Sequence, residues 1–237
     1  MNSWREDLLN QLTQPHANVQ MAFVCAEKAA HTLGFDNAAY GFQAPYPVTR
    51  PHITILSNYP ESWQRRYAQA GYLRNDPTVA HGRKCEEPVL WTEKLFVDTP
   101  QLWADAQDHG LRVGWAQSSL DGTGAGSMLT LCRSHEALTA RELLAREPHM
   151  RWLVQVMHVI CSKLLLKQTA DTLPTLSRRE REVLKWTADG KSAQDIADIL
   201  LLSKHAVDFH IKNVSSKLQV TNKTAAVARA ALLGLWT

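Results

Sequence analysis

The chain has 237 residues, 45% of them hydrophobic and 21% charged, with a formal net charge of +3. That describes a soluble globular protein with room for two domains or one large one, and no repeat or low-complexity tract stands out. No apolar run approaches the length of a membrane span, and the charged start MNSWREDLL lacks the apolar centre of a signal peptide.

The charge is unevenly spread. From Thr172 to Thr237 there are ten Lys/Arg against six Asp/Glu, which leaves 16 basic and 17 acidic residues in the rest. A basic excess confined to the C-terminal part is the footprint expected of a nucleic-acid-binding module. Cys25, Cys85, Cys132 and Cys161 are scattered without a C-x-x-C pair, which points to the reducing cytoplasm rather than a disulfide framework. His81 and Cys85 are four apart, yet no second pair completes a zinc site, so neither a metal nor another cofactor is expected.

Ser3 to Leu12 has the period of a short helix, and Asn18 to Leu33 that of a longer one closed by Gly34. Ala38 to Ala44 and His52 to Ser57 have the pattern of strands, separated by the Pro-rich PYPVTRP. Pro60 opens a helix through ESWQRRYAQAGY, and Asp76-Pro77 breaks it before a short helical piece, Thr78 to Arg83. Pro100 to His109 is a helix closed by Gly110, followed by strands Val113 to Ser119 and Ser127 to Arg133 across LDGTGAG. Thr139 to Glu142 has the capping-box pattern, and the helix it opens runs to about Lys167 with an interruption at Pro148.

This order implies an α+β domain at residues 1–167, an αβα sandwich with helices on both faces of a mainly antiparallel sheet. Residues 168–175, QTADTLPT, are polar with a Pro and serve as the expected linker. Residues 176–237 then form a small all-α domain of four helices: Ser177 to Ala188, Ala193 to Leu200, Lys204 to Leu218 and Lys223 to Leu233. Two of these, Ser192 to Leu200 and Ser203 to Leu218, are separated only by Leu201-Leu202, the spacing of a helix-turn-helix. On the second, Lys204, His205, Asp208, Lys212, Asn213, Ser216 and Lys217 face away from the apolar stripe. Lys and Ser can hold phosphate, while Asn, Asp and Lys can reach base edges. A solvated helix face carries the same mixture, so the flanking sequence decides.

That flanking sequence, LSRREREVLKWTADGKSAQDIADILLLSKHAVDFHIKNVSSKL, resembles the DNA-binding domain of the LuxR family. The matching positions are Leu176 to Glu180, Gly190-Lys191-Ser192, Ile196-Ala197, Ala206-Val207 with His210, and Asn213 with Lys217-Leu218. Asp195 stands where Glu is usual and Ala206 where Thr is usual. The resemblance implies Lys191, Ser192, Ser203, Lys204, His205, Asp208, Lys212, Asn213, Ser216 and Lys217 as DNA-contacting residues. NYPESWQRRYAQAGYLRNDPTV, with VLW later, resembles the autoinducer-binding domain of quorum-sensing LuxR receptors. A receiver domain's early acidic doublet and βα alternation are absent from the sequence.

The resemblance places a polar ligand clamp on Trp63, Tyr67 and Asp76, with Trp91 against a lactone ring. Thr130 falls where a Ser or Thr bonds the amide carbonyl or a 3-oxo group. Tyr59 and Trp103 are further lining residues, and Ala106 and Gly114 leave room. The chemistry is coherent: an N-acyl homoserine lactone offers two carbonyl acceptors, one amide donor, an apolar tail and a small ring. A buried site must match each polar group or lose about 1–3 kcal/mol for each one unpaired. Trp63 and Tyr67 are i, i+4 and share a helix face. Each aromatic taken singly also fits a plain core, and Asp76 before Pro77 also fits a plain helix cap.

The function implied is a ligand-dependent, cytoplasmic transcription factor that binds the lactone and, as a homodimer, binds double-stranded inverted-repeat DNA to activate transcription, with RNA polymerase as a further partner. The apolar face of Arg151 to Leu166 (Leu153, Met157, Ile160, Leu164) either pairs two copies or packs on its own sheet. The alternatives are a LuxR-type solo regulator that needs no lactone or reads another signal, and an enzyme such as a lactone hydrolase. Against the enzyme stands the lack of an H-x-H-x-D-H cluster or a G-x-S-x-G elbow, and no catalytic residue is assigned.

Overall fold

Residue parity along the strands sorts two faces of one sheet in the computed structural model, which describes residues 3–13, 18–122, 124–170 and 175–235. Two compact units emerge, one from Met1–Ala44, His52–Asp121 and Ala125–Gln168, the other from Thr169–Thr237 with the short stretches Pro45–Pro51 and Gly122–Gly124. No helix among the described residues is long and apolar enough to cross a membrane.

The first unit runs α1 (Ser3–Thr13), α2 (Val19–Thr32), β1 (Asn37–Gln43), β2 (Ile53–Ser57), α3 (Glu61–Gln69), α4 (Pro77–Gly82), β3 (Val89–Leu90), α5 (Pro100–Asp108), β4 (Val113–Leu120), β5 (Gly126–Arg133) and α6 (Ala140–Ala170). The five strands are ordered β2-β1-β5-β4-β3, and every pairing is antiparallel. β1 and β5 pair Tyr40 with Leu129 and Ala39 with Thr130, while β4 sets Trp115 opposite Leu131 and Ala116 opposite Thr130. Opposed residues point the same way, so each row belongs to one face.

Mostly large side chains fill the first face. Ala38, Tyr40, Phe42, Trp115, Leu129 and Leu131 pack with buried residues of α1, α2 and α6. The second face is paved with small ones: Ala39, Gly41, Gly114, Ala116, Ser118 and Thr130 share it with Met128 and Cys132. Over it lies a separate cluster of Trp63, Tyr72, Phe96, Leu102, Ala106 and Leu111. The expected αβα sandwich is the one observed.

Three local expectations change. α6 continues through Pro148 without a break. Proline removes one backbone donor, but Met150, Leu153, Val154 and Met157 bury themselves in the core on the C-terminal side and hold the helix in line. The Thr139 capping box is half-made: Thr139 Oγ1 accepts from the Glu142 N–H, but the Glu142 carboxylate turns away to Arg133 and Arg146. Two guanidinium partners outcompete one backbone N–H. The face Leu153, Met157 and Ile160 is at most 1% exposed inside its own unit, so of its two alternatives it takes packing on the sheet. α6 also reaches Ala170, into the expected linker, and residues 171–174 lie outside the described ones.

The second unit holds α7 (Arg178–Ala188), α8 (Ala193–Leu200), α9 (Lys204–Lys217) and α10 (Lys223–Leu232). Full capping boxes open α7 (Ser177 with Glu180) and α8 (Ser192 with Asp195), and Ser203 accepts from the Ala206 N–H to open α9. Between α8 and α9 the chain turns at Leu201, in left-handed geometry (φ 54) and 92% exposed. Leu176, Leu184, Val214, Leu218, Ala226 and Ala230 form one part of its core and Val183, Ile196, Ala197 and Val207 the other.

Candidate ligand and DNA-binding sites

Helical spacing puts Trp63 and Tyr67 on the inner face of α3, with ring centroids 5.5 Å apart. Gly71, at φ 66, lets the chain reverse into a 3-10 turn over Tyr72–Arg74, and Asp76 then caps α4. The reversal brings the Tyr67 hydroxyl to the Asp76 carboxylate, donating to Oδ2 at 2.8 Å. Oδ1 accepts from the Thr78 N–H at 2.8 Å and its hydroxyl at 2.6 Å. Asp76 is therefore both a helix cap and a partner of Tyr67. Burial, then the neighbouring carboxylate, pushes the Tyr67 phenol far above its ordinary range and keeps it a proton donor. Burial does the same to Tyr59, with Cys132, Asp76 and Tyr67 as its next neighbours.

A second aromatic group closes the other side. Trp91 stands edge-on to Phe96 and Trp103, at 6.0 and 6.4 Å, and Phe96 stacks on Trp103 at 4.7 Å. Its indole lies flat on Gly114: a Cβ there would fall 2.2 Å from the ring. The Trp91 indole N–H is buried with no acceptor. Ala106 is 3% exposed and Thr130 is 5% exposed, the latter between Ala39 and Ala116 on the small-residue face. Ala39 and Gly41 stay only half-buried although β1 is an interior strand, and a Cβ on Gly41 would meet nothing within 4 Å. All eight ligand-site residues expected from the sequence thus border one region of the first unit.

Four more were missed there. Tyr72 stacks on Trp63 at 6.2 Å. Its hydroxyl, the Arg66 guanidinium and the Gln101 amide all donate to the buried Asp105 carboxylate. The Tyr72 hydroxyl, against the cost of burial and with help from Arg66 and Gln101, holds the Asp105 carboxyl below its ordinary range. This network ties α3 to α5. Only the spacing of Arg66 between Trp63 and Tyr67 could have hinted at it, since its acceptor lies 39 residues away.

On α9 the outward residues are His205, Phe209, Lys212 and Ser216, one stripe at four- and three-residue steps. Lys204 pairs with Asp208 at 3.4 Å and both remain exposed. Asn213 is half-buried. Lys217 is engaged inside the unit, its ammonium 2.7 Å from the Glu180 carboxylate and 3.1 Å from the Thr175 carbonyl. Ser192 and Ser203 sit at the N-termini of α8 and α9, where exposed N–H groups favour phosphate, with Lys191 exposed beside Ser192. Phe209, 56% exposed, was missed because only polar residues were sought on that face.

A sheet domain with an aromatic-capped, small-residue floor, joined to a helix-turn-helix, defines a ligand-sensing DNA-binding regulator. The family model for autoinducer-binding domains matches residues 19–159, and that for bacterial regulatory proteins of the LuxR family matches residues 174–230. The chain belongs to the LuxR family and is an autoinducer-binding transcription regulator of quorum sensing that binds DNA through its C-terminal helices. It is 39% identical to the transcriptional activator AnoR of Acinetobacter nosocomialis, over 99% of this chain and 100% of that one. The crystal structure of Escherichia coli SdiA matches with a TM-score of 0.84 at 30% identity, over 99% of this chain and 98% of the other. SdiA in complex with octanoyl-rac-glycerol matches at 0.82 and 30%, over 98% and 95%. CepR2 of Burkholderia cenocepacia, described as N-acylhomoserine lactone dependent, matches at 0.62 and 28%, over 69% of this chain and 95% of that one.

Proposed function

We propose that the autoinducer is an N-acyl homoserine lactone, held between the small-residue face of the sheet and the aromatic residues of α3, α5 and Trp91. The loaded protein then acts in the cytoplasm as a homodimer that binds inverted-repeat promoter DNA and activates transcription, with RNA polymerase as a further partner. Residues 1–167 are the ligand domain, 168–175 the linker and 176–237 the DNA-binding domain. The observation that carries the ligand assignment is the Tyr67–Asp76 hydrogen bond beside Trp63, above a floor open at Gly41.

Tyr67 has one proton to give. On binding, the Tyr67 hydroxyl redirects its hydrogen bond from the Asp76 carboxylate to the acyl amide carbonyl, and Asp76 accepts from the ligand N–H instead, so both partners stay paired. The Trp63 indole donates to the lactone carbonyl, Trp91 covers the lactone ring, and Thr130 serves the amide carbonyl or a 3-oxo group. Tyr59, Trp103 and Ala106 line the site, and the tail runs over Ala39 and Gly41. CepR2, described as N-acylhomoserine lactone dependent, supports this choice. A dimer sets two α9 helices about one DNA turn, ~34 Å, apart. Since Leu153, Met157 and Ile160 are buried within the unit, the two copies must pair through another surface.

The SdiA complex with octanoyl-rac-glycerol favours a second reading, a regulator that answers a different small signal such as a monoacylglycerol. That ligand has no amide N–H for Asp76, although its hydroxyls could donate there. Asp76→Asn tests the lactone clamp. The amide replaces an anionic acceptor with one that can also donate, so lactone-dependent DNA binding falls at least about tenfold, the worth of one buried charged hydrogen bond. Unchanged lactone response in that variant rejects the clamp. Mass spectrometry of the molecule extracted from purified protein names the signal.

A further inference from the structure

We infer that Phe209 is a base-reading residue of α9 that recognises the C5-methyl group of a thymine in the major groove. This rests on α9 entering that groove, as the DNA-binding function requires. Phe209 sits one step inside the first two turns of the helix, where recognition helices present side chains to base edges. It lies midway along the outward stripe, four residues after His205 and three before Lys212. Its side chain is 56% exposed, while Val207 and Val214 on the opposite side are at most 1% exposed and fill the core. Among the described residues its ring contact is with the adjacent His210, at 5.9 Å and tilted by 65°, and more than half of the side chain stays exposed.

A phenyl ring has no hydrogen-bond donor or acceptor, so it cannot read the polar edges that His205 and Lys212 can. Among the groups the major groove displays, only the thymine methyl is apolar. Charge seats the ring there: Lys204 and Lys212 flank it, and Lys191 with the serine-capped N-termini of α8 and α9 offers phosphate-binding groups in the same unit. The nearby Asp208 carboxylate is countered by Lys204. Burying one methyl against the ring is worth about 0.8 kcal/mol, close to a fourfold change in affinity for each thymine contacted.

The test begins with the full chain, purified from cells supplied with a mixture of short-, medium- and long-chain N-acyl homoserine lactones. A duplex sequence is enriched from a random library with it, and each thymine of that duplex is replaced in turn by deoxyuridine, which removes only the methyl. The expected result is one thymine per half-site whose replacement weakens the wild-type protein about fourfold and leaves Phe209→Ala unaffected. Phe209→Leu, still apolar, keeps part of the discrimination. Because the side chain is exposed, all three proteins should share one thermal unfolding profile. If every replacement affects wild type and Phe209→Ala alike while both bind the duplex, the inference fails and DNA binding stands. If no sequence is enriched at all, the DNA-reading role of α9 fails and the inference with it.

Discussion

At Gly114 a missing methyl group sets the position of an indole. Trp91 lies so close to the backbone of β4 that any Cβ would overlap it, with three ring atoms within 2.6 Å. Tryptophan cannot retreat cheaply, because Phe96 and Trp103 stand against its other edges. Gly114→Ala should therefore cost about 1–3 kcal/mol through overpacking. In calorimetry the transition of the first unit should move down by several degrees, while the second unit unfolds as before. An unmoved transition would mean that Trp91 can shift freely. At residue scale Trp63, Tyr67 and Asp76 were named through the family resemblance, while the residues themselves showed only that Trp63 and Tyr67, four apart, share a helix face. Asp105 was not named, because two of its three donors, Arg66 and Tyr72, come from α3 and the turn after it.

Elements are held by their ends as much as by their faces. In the second unit the start of α7 is joined to the end of α9 through Glu180, which serves as capping carboxylate for Ser177 and accepts from Lys217 at 2.7 Å. Burial pushes the Glu180 carboxyl up, but the Lys217 ammonium and the Ser177 N–H outweigh it and hold it below its ordinary range. A carboxyl depressed in the folded state contributes stability that is fully present above its unfolded pKa, about 4.3, and is lost as pH falls through the folded value. Glu180→Gln should cost about 1–2 kcal/mol at neutral pH, because Lys217 is half-exposed and solvent screens its side of the pair. Its urea midpoint should converge on that of the wild type in acid. A constant gap from about pH 7 to about pH 3 would contradict the linkage. The capping boxes at Ser177 and Ser192 were legible in sequence because donor and acceptor are three residues apart. At Thr139 the same pattern misled, since Arg133, on the preceding strand, claimed the glutamate.

For the molecule as a whole, a ligand that binds only the folded first unit stabilises it by mass action. A lactone at a hundred times its Kd adds about 2.7 kcal/mol, or a rise of roughly 5–10 °C for a domain of this size. Two-transition calorimetry should place that rise in the first unit alone. A cognate lactone that shifts neither transition would remove the ligand assignment, while a shift with a monoacylglycerol and none with lactones would favour the second reading.

Sequence by itself determined most of what is local in the chain: the caps of α7, α8 and α9, the turn at Leu201-Leu202, the strands β1, β2, β4 and β5, and the two family motifs. These are properties of neighbours within a few residues, where backbone geometry and side-chain spacing leave few choices. Tertiary structure decided which side of the sheet is paved with small residues, that α6 runs through Pro148, that its apolar face is spent on its own core, and that Lys217 is tied to Glu180. Each of those depends on what stands opposite a residue across space, and competition among distant partners cannot be read from one strand or one helix alone.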